Sequence, residues 1–380
     1  MHRTVCMPQK GITGAYCCIL HCYPHNKLTA KGRKNSPAYS PLTSKFLQMN
    51  ESWKNIGYAD EPVPADIDLK EEIRRMCKEK NAIILAHYYT SGEIQDVADF
   101  VGDSLALAQQ AAKTTADIIV MCGVHFMAET NKILCPDKKV LLPDLNAGCS
   151  LADTCKAEDL AEFKRNNPEY KVVAYVNTSA AVKAHTDIVV TSSNARQVVE
   201  SFSKDEKILF APDKNLGGYL NNITGRNMKL WNGGCHVHER FSIEKIVELK
   251  AQYPNAKVLA HPECKNAVLA LADFIGSTAA ILKYAQTDDC DTYLVVTESG
   301  ILHEMQKSMP EKKFIPVPPE LVAGAVSACN ECDYMRMNTM EKLYNCLTFE
   351  WPFVELDETM REDALRPIER MLDLSAKLNL

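Results

Sequence analysis

The stretch NAIILAHYY at residues 81–89 sets the pattern on which the rest of the chain is built. Residues 82–86 form an unbroken apolar run, which is typical of a strand buried on both faces of a parallel sheet. The run ends in the polar residues His87 and Tyr89, and a helical pattern then leads to Gly102-Asp103-Ser104. This order predicts a buried strand with a polar tip, followed by a helix that starts at a hydroxyl-bearing residue.

The same unit occurs twice more along the chain. The stretch KVVAYVNTS at 171–179 leads to Thr191-Ser192-Ser193, and KVLAHPEC at 257–264 leads to Gly276-Ser277-Thr278. Corresponding residues are 86 to 88 positions apart. Strands that alternate with helices predict parallel sheets covered by helices. We therefore predict an α/β protein of three similar modules, whose polar strand ends build one shared site.

These units define the predicted domain boundaries. The three modules cover residues 68–149, 150–236 and 237–337, and helices within 338–380 are predicted to pack on a module. Residues 1–67 are a basic leader, since residues 1–50 contain seven Lys or Arg and no acidic residue. Such a segment is typical of an organelle transit peptide. A disordered tail, or an extension upstream of a start near Met49, would have the same composition.

Composition limits the functional class. With 46% hydrophobic and 24% charged residues, and no apolar run near the roughly 18 residues of a membrane span, the chain is typical of a globular protein outside the membrane. A net charge of −6 argues against nucleic-acid binding, which requires clustered cations. No secretory signal is apparent, so we expect a cytoplasmic location unless the leader targets an organelle. The 15 cysteines indicate metal or redox chemistry rather than a disulfide scaffold.

Local patterns give two further structural predictions. Apolar spacing between residues 93 and 115 predicts one helix that ends, and another that starts, at Gly102-Asp103-Ser104. The segment 215–234 is rich in Gly and Asn, which predicts a long loop.

Polar residues follow the first strand of each module. In parallel α/β structures, ligands bind at the carboxyl ends of the strands. A single polar residue there is more often a packing residue, but a threefold recurrence favours a site. These residues are His87, Tyr89, Tyr175, Asn177, His261 and Glu263.

Each module also has a hydroxyl-bearing residue at a predicted helix start: Ser104, Ser192 and Thr278. Such residues commonly only cap their own helix. The positive end of a helix also favours an anion. Three such starts directed at one centre predict a substrate with several carboxylates or a phosphate.

Three cysteines lie at the ends of the modules: Cys149, Cys235 and Cys332. Three thiols with one open position suggest a metal that acts as a Lewis acid, and thiolates favour zinc or an iron–sulfur centre. Cys122 and Cys264 are rival ligands because they also lie near strand ends.

Many separate motifs resemble one family, the quinolinate synthases. They occur in order over about residues 68–380: AHYY (86–89), EIQ (93–95), AD (98–99), GDSL (102–105), GVHFMAE (123–129), AGCSLAD (147–153), YVNT (175–178), HPEC (261–264) and MRMN (335–338). The resemblance implies three α/β/α modules in a pseudo-threefold arrangement around a central cavity.

The resemblance also implies the chemistry. A [4Fe–4S] cluster would be held by Cys149, Cys235 and Cys332, and iminoaspartate would condense with dihydroxyacetone phosphate to give quinolinate, a precursor of NAD. Tyr89, Tyr175, His261 and Glu263 would transfer protons, with Glu263 as the general base. The substrate-binding residues would be His87, Ser104, Asn177, Ser192 and Thr278. An L-aspartate oxidase would be a functional partner.

Two other functions compete with this interpretation. A metal-free hydrolase or aldolase would need an activated nucleophile, but the sequence has no G-x-S-x-G elbow and no lysine at a strand end. A three-module binding protein would explain the anion sites but not three matched cysteines.

Some family members have more C-x-x-C spacings before the last ligand, whereas here Cys329 alone precedes Cys332. A reversible Cys329–Cys332 disulfide is therefore a further hypothesis.

Overall fold

The computed structural model describes residues 51–320 and 330–378. Its core is three separate sheets, each of four parallel strands, and helices connect the strands. Consecutive parallel strands require such crossovers. The prediction of an α/β protein with three similar modules is confirmed. The exact module boundaries stay predictions.

The first sheet has the strand order β2-β1-β3-β4. The central strand is almost entirely buried, as the apolar run predicted. The elements are α1 (Leu69–Glu79), β1 (Ala82–His87), α2 (Gly92–Val97), β2 (Phe100–Gly102), α3 (Ser104–Lys113), β3 (Ile118–Cys122), α4 (His125–Leu134) and β4 (Lys139–Leu141).

The second sheet repeats this order as β6-β5-β7-β8. A 3₁₀ turn over Ala152–Thr154 precedes it. Its elements are α5 (Ala157–Asn166), β5 (Tyr170–Tyr175), α6 (Ala180–Lys183), β6 (Ile188–Val190), α7 (Ala195–Ser201), β7 (Lys207–Ala211), α8 (Lys214–Thr224) and β8 (Lys229–Leu230).

The third sheet has the order β10-β9-β11-β12. A 3₁₀ turn over His238–Arg240 leads into it. Its elements are α9 (Ile243–Gln252), β9 (Lys257–Ala260), α10 (Asn266–Leu269), β10 (Phe274–Ile275), α11 (Thr278–Thr287), β11 (Thr292–Val296), α12 (Ile301–Ser308) and β12 (Lys313–Pro316).

One aspartate fixes the start of the central strand in every module. This aspartate directly precedes the edge strand, and its carboxylate accepts a hydrogen bond from a backbone amide of the central strand. The contact joins the central strand to the start of the short edge strand. The three pairs are Asp99 Oδ2 with Ile84 N at 2.7 Å, Asp187 Oδ2 with Val172 N at 2.8 Å, and Asp273 Oδ2 with Val258 N at 2.7 Å.

Two local predictions were wrong. Residues 93–115 are not simply two helices, because the edge strand β2 (Phe100–Gly102) lies between them and pairs with β1. The segment 215–234 is not one long loop, because α8 and β8 occupy most of it. Asp213 caps α8 by accepting hydrogen bonds from the amides of Asn215 and Leu216, which stabilises a helix despite its glycines.

The C-terminal segment adds α13 (Asp333–Arg336), α14 (Met340–Phe349) and α15 (Glu358–Lys377). Leu343 and Leu347 of α14 pack in the cluster that contains Ile73 of α1. Helix α15 contacts the second module, where Asn194 Nδ2 donates to Ser375 Oγ at 2.9 Å.

Part of the predicted leader is packed against this segment. Trp53 is buried, and its ring lies 4.8 Å from that of Phe349. Asn345 Nδ2 donates to the carbonyl of Glu61 at 2.8 Å. Residues 51–61 therefore belong to the fold, whereas residues 1–50, with their basic composition, lie outside the described residues.

We found no helix in residues 51–320 and 330–378 that combines the length and apolar character needed to cross a membrane.

Candidate active site

A cavity lies at the carboxyl ends of the three central strands. All twelve residues selected from the sequence line it, although they come from three modules. Their functional roles remain predictions, but their convergence is a structural fact. These residues are His87, Tyr89, Ser104, Cys149, Tyr175, Asn177, Ser192, Cys235, His261, Glu263, Thr278 and Cys332.

His87 and His261 are held in the same way at equivalent strand tips. The amide of Tyr89 donates to His87 Nδ1 at 3.2 Å, and the amide of Glu263 lies 3.4 Å from His261 Nδ1. His261 Nε2 lies 3.3 Å from Ser192 Oγ. Burial lowers the pKa of both imidazoles to about 3, so they are neutral at physiological pH.

Glu263 is the buried carboxylate at the centre of the site. Tyr175 Oη donates to its Oε1 at 2.6 Å, and His238 Nδ1 lies 3.0 Å from its Oε2. Burial acts to raise the pKa of Glu263, but the contacts of its carboxylate with His238 and Tyr175 hold it below its ordinary value. Burial and the nearby Glu263 carboxylate raise the pKa of Tyr175 well above its ordinary value. The pair therefore combines an ionised acceptor with a protonated donor.

Tyr89 begins a second hydrogen-bonded chain. Its hydroxyl lies 2.8 Å from Thr278 Oγ1 and 2.9 Å from Thr297 Oγ1. Thr297 Oγ1 in turn lies 2.9 Å from His238 Nε2. Because His238 also contacts Glu263, the chain links Tyr89 to the central carboxylate. Burial raises the pKa of Tyr89 well above its ordinary value, which keeps the phenol protonated.

The helix starts differ from the prediction in detail. The cap of α3 is Asp103, and the cap of α11 is Ser277, so Ser104 and Thr278 are the first helical residues rather than caps. Helix α7 begins only at Ala195, after Asn194, and not at Thr191–Ser193.

Ser193 instead connects the other two helix starts. Its Oγ lies 2.6 Å from Asp103 Oδ2 and 2.8 Å from Ser277 Oγ. One residue from each module thus meets at the side of the cavity lined by Asp103, and Ser193 fixes the starts of α3 and α11 relative to each other.

The described residues that line the cavity offer polar groups for a ligand but no Lys or Arg side chain. Asn177 Oδ1 is buried and has no hydrogen-bond partner within those ranges. Since buried polar atoms are normally paired, this atom identifies a ligand-facing position.

The three cysteines line the same cavity, and burial raises the pKa of each thiol. The value rises to about 12 for Cys149 and about 11 for Cys332, and well above the ordinary range for Cys235. Such thiols are protonated and unreactive unless a metal displaces the proton. The rivals Cys122 and Cys264 are fully buried and do not line the cavity.

Loop contacts position two of these thiols. The amide of Cys332 donates to Glu298 Oε1 at 3.1 Å. His236 Nδ1 lies 2.6 Å from Ser150 Oγ. His236 directly follows Cys235, and Ser150 directly follows Cys149. The loops that carry Cys149 and Cys235 are therefore joined to each other.

The donor set is compatible with a metal cluster. In the described ranges, the group whose ligand atoms all lie within 4.8 Å of one another is Cys235, His238 and Glu263, not the three thiols. Three thiols spaced more widely than the ligands of one ion suit a cluster of several irons, which spans a larger volume.

Sequence reasoning missed three residues that complete the site. His238 carries the proton network, and its position three residues after Cys235 is a metal-type C-x-x-H spacing that could have identified it. Thr297 and Glu298 follow β11, the third strand of their module, so the strand-end rule applied to β11 would have found them.

Comparison with known proteins identifies the family. A family model described as quinolinate synthetase A protein matches residues 71–373. The chain belongs to the quinolinate synthetase A family. Its members are enzymes, so the chain is an enzyme of this family.

The matches to curated relatives in the family cover almost the whole length of each relative. The quinolinate synthase of Thermosynechococcus vestitus is 57% identical over 312 residues, which are 82% of this chain and 97% of the relative. That of Chloroherpeton thalassium is 56% identical, over 82% of this chain and 96% of the relative. That of Trichormus variabilis is 54% identical, over 88% of this chain and 99% of the relative.

One hypothesis falls outside the described residues. Cys329, the proposed disulfide partner of Cys332, lies in the segment 321–329, and the cysteines of the leader lie within residues 1–50. The redox hypothesis therefore stays a prediction from the sequence.

Proposed function

We propose that this chain condenses iminoaspartate with dihydroxyacetone phosphate, releasing phosphate and two waters to give quinolinate for NAD biosynthesis. The observation that carries the proposal is the convergence of three cysteines and nine polar residues, from three modules, on one cavity. Family membership and relatives named quinolinate synthase support the same reaction.

The anionic groups of both substrates would bind the neutral donors of the cavity. Ser104 and Thr278 do not cap their own helices, because Asp103 and Ser277 do so. The Thr278 hydroxyl would bind a substrate together with its hydrogen-bond partner Tyr89. The amides of the first helical turn add donors, and the helix dipole favours a negative group there. Asn177 and His87 would orient the substrate from the tips of β5 and β1.

Proton transfers would use the network around Glu263. As an ionised carboxylate, Glu263 accepts a proton from substrate carbon or nitrogen, and Tyr175, protonated and 2.6 Å away, supplies one. Tyr89 and His261 complete the set of neutral groups that donate to leaving oxygens. His238 holds the carboxylate in place through its Nδ1 contact.

Cys149, Cys235 and Cys332 would hold a [4Fe–4S] cluster with one iron open to substrate. When bound, such a centre supplies a Lewis acid that polarises a hydroxyl or carbonyl oxygen for dehydration. The Ser150–His236 contact holds the loops of Cys149 and Cys235 together, and the Glu298 carboxylate holds the backbone of Cys332.

A quinolinate assay with anaerobically purified protein tests the proposal. Both substrates together should give quinolinate, and omission of either should give none. Protein that retains its iron yet forms no quinolinate from the two substrates would contradict the proposed reaction. A cytoplasmic location and supply of iminoaspartate by an L-aspartate oxidase are parts of the proposal that follow from the family resemblance.

A further inference from the structure

We propose that Cys235, His238 and Glu263 form a second metal site, which binds one Zn²⁺ ion when the three cysteines hold no cluster. The ligand atoms are one sulfur, one nitrogen and one oxygen, all within 4.8 Å of one another. This site differs from the three-cysteine site, with which it shares Cys235 alone.

The spacing of the ligand atoms matches tetrahedral zinc. His238 Nδ1 lies 3.3 Å from Cys235 Sγ and 3.0 Å from Glu263 Oε2. Bond lengths of about 2.3 Å to sulfur and about 2.1 Å to nitrogen and oxygen would place sulfur about 3.6 Å, and oxygen about 3.4 Å, from the imidazole nitrogen in a tetrahedral site. The sulfur and the oxygen therefore need to move only a few tenths of an ångström relative to this nitrogen to admit the ion.

The groups behind the ligands are already in place. Thr297 Oγ1 lies 2.9 Å from His238 Nε2, so an N–H at Nε2 directs the lone pair of Nδ1 toward the ion. Tyr175 donates to Glu263 Oε1, which leaves Oε2 for the metal. Metal-bound imidazoles and carboxylates typically have such partners, and these partners fix ligand orientation.

The charges also balance in a buried setting. His238 and Glu263 are only 1% and 3% exposed. A thiolate and a carboxylate neutralise the ion, and binding releases the thiol proton of Cys235. All three ligand residues line the cavity, so a fourth ligand would come from the cavity.

Occupation of this site would exclude the cluster because both need Cys235. It would also immobilise Glu263, the proposed general base. The zinc form would therefore be an inactive state of the cluster-free chain, and a chelator would be needed before iron could be loaded.

The test uses the full chain, prepared cluster-free, with Zn²⁺ affinity measured by calorimetry and Co²⁺ used as a coloured probe. We expect one Zn²⁺ per chain, and a Co²⁺ spectrum with tetrahedral bands and a single thiolate charge-transfer band. Cys149→Ser and Cys332→Ser should bind Zn²⁺ within about twofold of the parent, since neither residue is a ligand.

Variants of the site should behave differently from these cysteine controls. His238→Asn should weaken Zn²⁺ binding at least about 100-fold, and Thr297→Val, which keeps every ligand, about 10- to 100-fold. Circular dichroism should show that both variants are folded, and Thr297→Val tests the site if His238→Asn does not fold. Unchanged Zn²⁺ affinity in Thr297→Val would overturn the proposal. Loss of Zn²⁺ binding in Cys149→Ser and Cys332→Ser would also overturn it, and would place the ion among the three cysteines.

Discussion

Glu298 is the most unusual single residue around the site. Its carboxylate is completely buried and accepts hydrogen bonds from the amides of Gly300 at 2.6 Å and Cys332 at 3.1 Å. Arg336 lies 3.5 Å away. Burial nevertheless raises the pKa of Glu298 to about 8. Glu298 holds the backbone of the predicted cluster ligand Cys332. Its burial lowers the free energy of unfolding by an amount that depends on pH.

This effect predicts a pH dependence of folding. Since the folded-state pKa lies above the unfolded value of 4.5, the folded chain binds the extra proton, and stability falls as pH rises toward 8. The slope from this group is at most about 1.4 kcal/mol per pH unit. We expect Glu298→Gln to remove that contribution in cluster-free protein between pH 6.5 and 8.

Urea unfolding of parent and variant at several pH values measures the difference. As pH rises from 6.5 to 8, the free energy of unfolding of Glu298→Gln should increase relative to that of the parent. A constant difference across this range would show that Glu298 is ionised throughout.

Glu263 allows a direct test of catalysis at one residue. Glu263→Gln keeps the shape of the side chain but removes the acceptor of protons, so quinolinate formation should fall by about 10²- to 10⁴-fold. Iron content should stay unchanged, because Glu263 is not one of the three predicted cluster ligands. Glu311→Gln, at an exposed position, is the matched control. Activity of Glu263→Gln close to the parent would exclude Glu263 as the general base.

At the scale of elements, the long buried strands were predictable because an apolar run leaves few alternatives. The edge strands β2, β6 and β10 have three, three and two residues, too few to show a period. Each follows an aspartate that contacts the central strand, and these residues, Asp99, Asp187 and Asp273, resemble ordinary turn residues in the sequence. The same limit applies to caps, because either of two neighbouring polar residues, such as Asp103 and Ser104, can cap a helix.

Removing one of these aspartates should destabilise its module. Asp273→Ala leaves the amide of Val258 without its partner at 2.7 Å, which should lower the free energy of unfolding by about 1–3 kcal/mol. Asp289→Ala, at an exposed position in the same module, should change it by less than about 0.5 kcal/mol. Equal effects of the two substitutions in thermal or urea unfolding would mean that the strand contact contributes nothing.

At the scale of the whole molecule, the candidate site was predictable because parallel strands direct their carboxyl ends to one side. All twelve selected residues reached one cavity for that reason. Contacts between modules were not predictable. Ser193 meets Asp103 and Ser277 across separations of 90 and 84 residues, and Tyr175 meets Glu263 across a module boundary. Such pairs depend on how the modules pack, which no local pattern encodes.

The central claim is that one cysteine from each module holds a [4Fe–4S] cluster. Cys149→Ser, Cys235→Ser and Cys332→Ser should each abolish cluster retention, whereas Cys122→Ser and Cys264→Ser should retain it, since these two thiols are buried away from the cavity.

Iron analysis of anaerobically purified parent and variants, together with the quinolinate assay, is the most direct measurement. We expect about four irons per chain and quinolinate formation in the parent, and loss of both in each of the three cysteine variants. A fully active parent without iron, or a full complement of iron in any of those three variants, would contradict the central claim.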